Sequence, residues 1–105
     1  MAWVVLFFAG ILEIVWAYSM KMSDGFTKVV PTILTLFFVV LSFFLLSYSM
    51  RSLPLGTAYT VWAGIGVVGS FVVGVLVLGE SANFIRVLAA LLIFSGLILM
   101  KFSTD

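Results

Sequence analysis

Four apolar runs, each near the length needed to cross a bilayer, leave this chain very few ways to fold. A helical span needs about 20 mainly apolar residues to cross roughly 30 Å of hydrocarbon. Residues 2–20, 31–50, 57–78 and 84–100 are such runs. Lipid offers no water to exposed peptide groups, and a helix satisfies them within the span. The loops between the runs are short, so successive helices pack as antiparallel neighbours and no soluble domain fits between them. The expected fold is an all-α integral membrane protein, a four-transmembrane-helix bundle forming a single membrane domain over residues 1–105.

Local signals punctuate the runs. Lys21 closes the first, and Ser23-Asp24-Gly25 is a turn-forming cluster. Pro31 suits the first turn of the second helix, where a missing N–H costs little. Arg51 ends that helix, and Pro54 and Gly56 mark the next loop. Gly79 to Asn83 forms the third loop, Arg86 lies in a first turn from which it can snorkel, and Lys101 closes the last span before a tail over 102–105. The first run is expected to be a retained helix rather than a signal peptide. It lacks a basic leading region, and an acid interrupts its apolar centre.

Composition agrees: 65% of residues are hydrophobic, 9% are charged, and mean hydropathy is +1.39. A soluble domain is about half apolar and a quarter charged. A net charge of +1 gives no sign of nucleic-acid binding. The chain has no cysteine and no histidine, which removes disulfides, thiolate chemistry and the common transition-metal ligands. No cofactor and no metal site are expected, and the redox compartment is unreadable.

The basic residues do not choose an orientation. With a cytoplasmic N-terminus, Arg51 and Lys101 lie inside while Lys21, Lys28 and Arg86 lie outside, two against three. That is almost no positive-inside bias. Insertion in both orientations fits this count, and so does a fixed topology set by other features.

One acid stands inside a span. Glu13 is near the middle of the first run, about 13 Å deep at 1.5 Å per residue, with no other acid or base inside any span. Ionisable residues at such depth mark ion, proton or substrate pathways. A lone carboxylate has two routes to neutrality: it takes a proton or holds a cation. If the two exclude each other, and the site opens to alternate sides, the result is a proton–cation exchanger. The plainer alternative is a protonated glutamate hydrogen-bonded inside the bundle.

Neighbours on the helix bear on that choice. Ala9, Gly10, Trp16 and Ala17 share the face of Glu13 at i±3 and i±4. The small residues leave space or admit a second helix. Trp16 offers an aromatic face to a cation and lies too deep for the interfacial belt that Trp3 suits. On the second run Ser42 lies at similar depth, able to donate to the carboxylate or to bond back to its own helix. On the third, Tyr59, Trp62, Gly66 and Gly69 form one stripe, with the aromatic pair readable as pocket or as belt. Gly64 and Gly66 weaken that helix locally and permit a bend. On the fourth, Ala89 and Gly96 share a face suited to helix contact, within the bundle or between subunits. One copy lacks the inverted halves common among transporters, and two antiparallel copies would supply them from one sequence. They would also bring two Glu13 side chains together and couple their titrations.

Several segments resemble the small multidrug resistance family over nearly the whole chain. They are Ala9-Gly10-x-x-Glu13-x-x-Trp16-Ala17 with Lys21, Gly25-Phe26-Thr27 with Pro31, and Ser42-Phe43 with Leu45-Leu46. Leu53-Pro54-x-Gly56-Thr57-Ala58-Tyr59-x-x-Trp62-x-Gly64-x-Gly66 is the most specific, and Gly79-Glu80-Ser81 and Lys101 complete the set. The resemblance implies a dual-topology, antiparallel homodimer in a bacterial cytoplasmic membrane, exchanging protons for small organic cations. It implies that Glu13 binds both proton and substrate, and that Trp16, Ser42, Tyr59 and Trp62 line the pocket. It further implies flexibility and close packing at Gly10, Gly64 and Gly66, with dimer contact through Ala89 and Gly96. Some relatives work as pairs, so a heterodimer is also admitted.

Within that family, Trp16 and Lys101 resemble the guanidinium exporter subtype. A planar guanidinium donates two hydrogen bonds to a carboxylate and lies against aromatic rings. Thr60 and Ala63 depart from the alanine and threonine usual in that subtype's segment, and Ala89 stands where many relatives have glycine. The expected function is proton-coupled export of guanidinium or small guanidinyl cations, and not enzymatic. The alternatives are export of quaternary ammonium and aromatic cationic drugs, which depend on rings and charge, and a proton-carrying structural membrane subunit.

Overall fold

A computed structural model describes residues 1–104. Among them the elements are α1 (Ala2–Met22), α2 (Val29–Ser49), α3 (Leu55–Leu76) and α4 (Phe84–Thr104). All four are long and apolar enough to cross a membrane. α1 occupies the centre, packed along α2 on one side and α3 on the other. α4 packs against α3, and α2 and α3 touch only marginally.

Helix ends differ from the sequence expectation by a few residues. The expected end of α4 is Met100, but the helix continues through Lys101 to Thr104, since no glycine or proline follows to break it. α3 stops at Leu76 rather than 78: Gly79 adopts φ +73° and returns the Glu80 N–H to the Gly74 carbonyl at 2.9 Å. α2 begins at Val29, so Pro31 occupies its third position, still within the first turn. Asp105 lies outside the described residues.

The loops close by local bonds. Between α1 and α2, Asp24, Gly25 and Phe26 are all left-handed. Ser23 steadies this turn: its hydroxyl donates to the Met20 carbonyl at 2.7 Å and accepts from the Phe26 N–H at 3.0 Å. Asn83 caps α4 by accepting from the Arg86 N–H at 2.9 Å.

The core is small and comes from three helices: Leu6 and Ala9 of α1, Leu46 of α2, and Ala58, Val61 and Trp62 of α3. None of the hydrophobic window of α4 is buried. Lipid tails are as apolar as leucine, so apolar burial does not drive these helices together; close approach over small residues and interhelical hydrogen bonds do. Phe8, Phe37, Leu92 and similar residues are exposed in the single chain, as a protein surrounded by lipid allows.

Candidate functional site

Small residues set the α1–α3 seam. At Gly10 an added Cβ would lie 2.7 Å from the Ile65 Cβ, so only glycine admits that side chain. One turn on, the Glu13 carboxyl lies directly against Gly66, where any side chain would overlap it. Gly69 receives Ile14 in the same way. The stripe read from α3 therefore faces the helix that carries the acid, and its glycines make the space the carboxyl occupies. Gly64 faces the other way and admits Leu97 of α4. α3 is unbroken through Gly64 and Gly66.

Glu13 Oε1 is buried with no hydrogen-bond partner among the described residues, and so is Trp16 Nε1. These are an acceptor and a donor one helical turn apart on α1. Unmade hydrogen bonds on buried polar atoms are costly, and natural structures rarely tolerate them without a functional reason. Among the described residues Glu13 has no ion-pair partner; the ion pair found, Arg86 with Glu80 at 3.4 Å, is exposed at the membrane edge.

Ser42 settles into neither of the bonds open to it from sequence. It is fully buried, and its hydroxyl donates across to the Ala9 carbonyl of α1 at 2.8 Å. It also accepts from Trp62 Nε1 at 3.0 Å. Helical geometry makes the Ala9 carbonyl the one that receives the Glu13 N–H. The chain Trp62–Ser42–Ala9 thus joins three helices at the turn that carries the acid.

Trp62 is buried and is not a belt residue. Its ring meets Tyr59 at 5.4 Å and Phe43 at 5.5 Å, both tilted near 60°. Tyr59 is half exposed beside it. Phe43 is the residue that sequence reasoning did not place at the site. On α2 the buried polar stripe is Thr35, Ser42 and Ser49, and Phe43 sits one residue off it, so adjacency to Ser42 was the one available signal. Trp16 is part-buried and packs against the core cluster that contains Trp62. Gly96 of α4 faces open space, with nothing within 4 Å of an added Cβ, and Ala89 is exposed on the same helix. Thr60 is exposed, whereas Ala63 packs against the core. At the bundle end, the Lys101 ammonium lies over the Trp3 ring at 4.7 Å.

Four spans packed around a buried carboxyl that has no partner among the described residues, with glycines clearing the space beside it, fit a small multi-span membrane transporter. The family description "Small Multidrug Resistance protein" matches residues 1–93. The chain belongs to the small multidrug resistance family, and is a multi-pass protein of the bacterial inner membrane. It is 49% identical over 104 residues to a guanidinium exporter of Yersinia pseudotuberculosis, covering 99% of this chain and 100% of that one. A guanidinium exporter of Citrobacter freundii is 50% identical over 104 residues, at 99% of each chain. One of Proteus vulgaris is 47% identical over the same length.

Proposed function

We propose that this protein exports guanidinium or small guanidinyl cations in exchange for protons, working as an antiparallel, dual-topology homodimer. The observation that carries the reading is the buried, unpartnered Glu13 Oε1 held against Gly66. With no fixed countercharge, the carboxylate is neutralised by a proton or by a substrate cation, never by both. A guanidinium offers planar N–H pairs to carboxylate oxygens and tolerates partial desolvation better than an ammonium. The relatives named as guanidinium exporters, matched over almost their full length, support that substrate class.

Glu13 binds both ligands, Trp16, Tyr59 and Trp62 supply ring faces, and Ser42 holds the turn beneath the acid. Bending of α3 at Gly64 and Gly66 alternates access. A second copy, inverted, covers the bare Ala89–Gly96 helix and brings a second carboxyl to the site. The flat distribution of basic residues permits both insertions.

Reconstitution into liposomes tests this. Unmodified protein is expected to drive guanidinium uptake against an imposed proton gradient, and Glu13→Gln to abolish it while still inserting. Proton-driven guanidinium flux retained in Glu13→Gln would refute the assignment. A cysteine placed in the 22–29 loop should be labelled from both sides of the membrane, and labelling from one side alone would refute dual topology.

A further inference from the structure

One end of the bundle holds cations without acids. Successive helices alternate direction, so α1 and α3 begin at that end and α2 and α4 finish there. It carries Arg51 and Lys101. The acids among the described residues are Glu13 in mid-span and Asp24 and Glu80 toward the opposite end, where Glu80 pairs with Arg86 at 3.4 Å. Arg51 has no ion-pair partner among the described residues. It lies nine residues beyond Ser42, about 13 Å toward the edge at 1.5 Å per residue. Half the hydrocarbon thickness is about 15 Å, so Arg51 reaches the depth of the lipid headgroups.

A cavity of about 310 Å³ opens beside it, between Met1 and Ala2 at the start of α1 and Tyr48, Arg51 and Ser52 at the end of α2. That is about ten times the ~30 Å³ share of a liquid water, room for a phosphate group and waters around it. The Arg51 guanidinium lies over the Tyr48 ring, 5.6 Å from its centre. The ring contact steadies the guanidinium and consumes none of its five N–H donors. Tyr48 and Ser52 are hydroxyl-bearing residues of the same cavity. Snorkelling explains an arginine at the edge, but not a cavity of this lining beside it. From Tyr48 the same face of α2 continues at four-residue steps through Phe44 and Val40, both exposed and both lining an apolar groove. Tyr48 to Val40 spans about 12 Å, within the ~15 Å of one leaflet. A polar cavity at headgroup depth thus continues into a strip suited to a hydrocarbon chain.

We propose that this cavity binds the phosphate of one anionic phospholipid, held by Arg51 with Tyr48 and Ser52, its acyl chain lying along Phe44 and Val40. A guanidinium fork pairs bidentately with phosphate oxygens, and the charge on both partners strengthens the bonds. Basic pockets between membrane helices are suited to such headgroups. A headgroup carrying its own ammonium brings a second cation to Arg51, so an anionic lipid without one is preferred. Arg51 opens the loop that joins α2, which bears Ser42, to α3, which bears Trp62, and the bound lipid fixes that loop at the membrane edge. This binding needs only the membrane location, not the export reading.

Native mass spectrometry of the delipidated protein, titrated with phosphatidylglycerol or phosphatidylcholine of equal chain length, tests this. The unmodified protein is expected to favour phosphatidylglycerol, with the Arg51-dependent uptake saturating at one lipid per chain. Arg51→Gln should weaken phosphatidylglycerol binding about five-fold, equivalent to ~1 kcal/mol, with a smaller change for phosphatidylcholine. Arg51→Lys keeps the charge but not the fork, and should restore only part of the preference. Lys28→Gln removes a cation at the opposite end and should bind as the unmodified protein does. Guanidinium affinity should stay unaltered in Arg51→Gln, which reports correct folding. Full phosphatidylglycerol affinity in Arg51→Gln would overturn the proposal. An equal loss in Lys28→Gln would overturn it too, by showing a response to net charge alone. Loss of guanidinium affinity alongside the lipid in Arg51→Gln would make the effect structural and have the same consequence. An excess of inorganic phosphate should leave the lipid bound, and displacement by it would rule out a lipid as the occupant.

Discussion

Ser42→Ala isolates the bond chain that fixes the acid-bearing turn. Ser42 is fully buried, and its hydroxyl makes two bonds between helices: to the Ala9 carbonyl at 2.8 Å and from Trp62 Nε1 at 3.0 Å. Interhelical hydrogen bonds in membranes average about 0.6 kcal/mol and reach about 1.7, which gives roughly 1–3 kcal/mol for the pair. The Ala9 carbonyl keeps its helical bond, whereas the Trp62 N–H loses its partner. The upper half of that range is therefore expected. Reversible unfolding in mixed micelles would measure it. Trp62→Phe removes the same N–H, so the two substitutions should be less than additive, with a coupling of about 0.6 kcal/mol or more. Because Ala9 lies one turn before Glu13, guanidinium affinity should fall along with stability. A cost below about 0.3 kcal/mol, with strict additivity, would show that the chain of bonds holds nothing in place.

Other substitutions probe the same geometry at different points. Gly66→Ala places a methyl where the Glu13 carboxyl lies and should abolish cation binding while the protein still inserts, measured by calorimetry in detergent. Gly56→Ala has nothing within 4 Å and should bind normally, so a loss there would sever the argument from local space. Gly96→Val is open within one protomer, so its unfolding should be unchanged while the dimer weakens, seen by crosslinking or energy transfer between labelled copies. The pH dependence follows from competition at one carboxyl. Where that carboxyl is mostly protonated, apparent guanidinium affinity should rise about ten-fold per pH unit, then level off once it is ionised. An affinity indifferent to pH from about 5 to 9 would contradict that competition.

Much of this is legible in the sequence because lipid simplifies the rules. A run of about 20 apolar residues has few alternatives to a spanning helix, so all four spans follow from length alone. Glu13 is legible for the same reason, as the only charge far from any interface. Helix ends are less so: α3 stops where Gly79 turns, and α4 runs past Lys101 because nothing stops it. The partner of Ser42 is not readable, since it depends on how α1 and α2 cross, and either predicted bond is compatible with the spacing. The stripe Tyr59–Trp62–Gly66–Gly69 is visible as a face, but only the packed structure shows that its glycines hold the Glu13 carboxyl and Ile14.

Proton release on substrate binding bears most directly on the central claim that Glu13 trades one cation for another. Protein in weakly buffered detergent solution would be mixed with guanidinium near neutral pH while a pH indicator is followed. The unmodified protein is expected to release protons in proportion to the guanidinium bound, and Glu13→Gln to release none. Guanidinium binding with no proton release, or equal release from Glu13→Gln, would contradict the account.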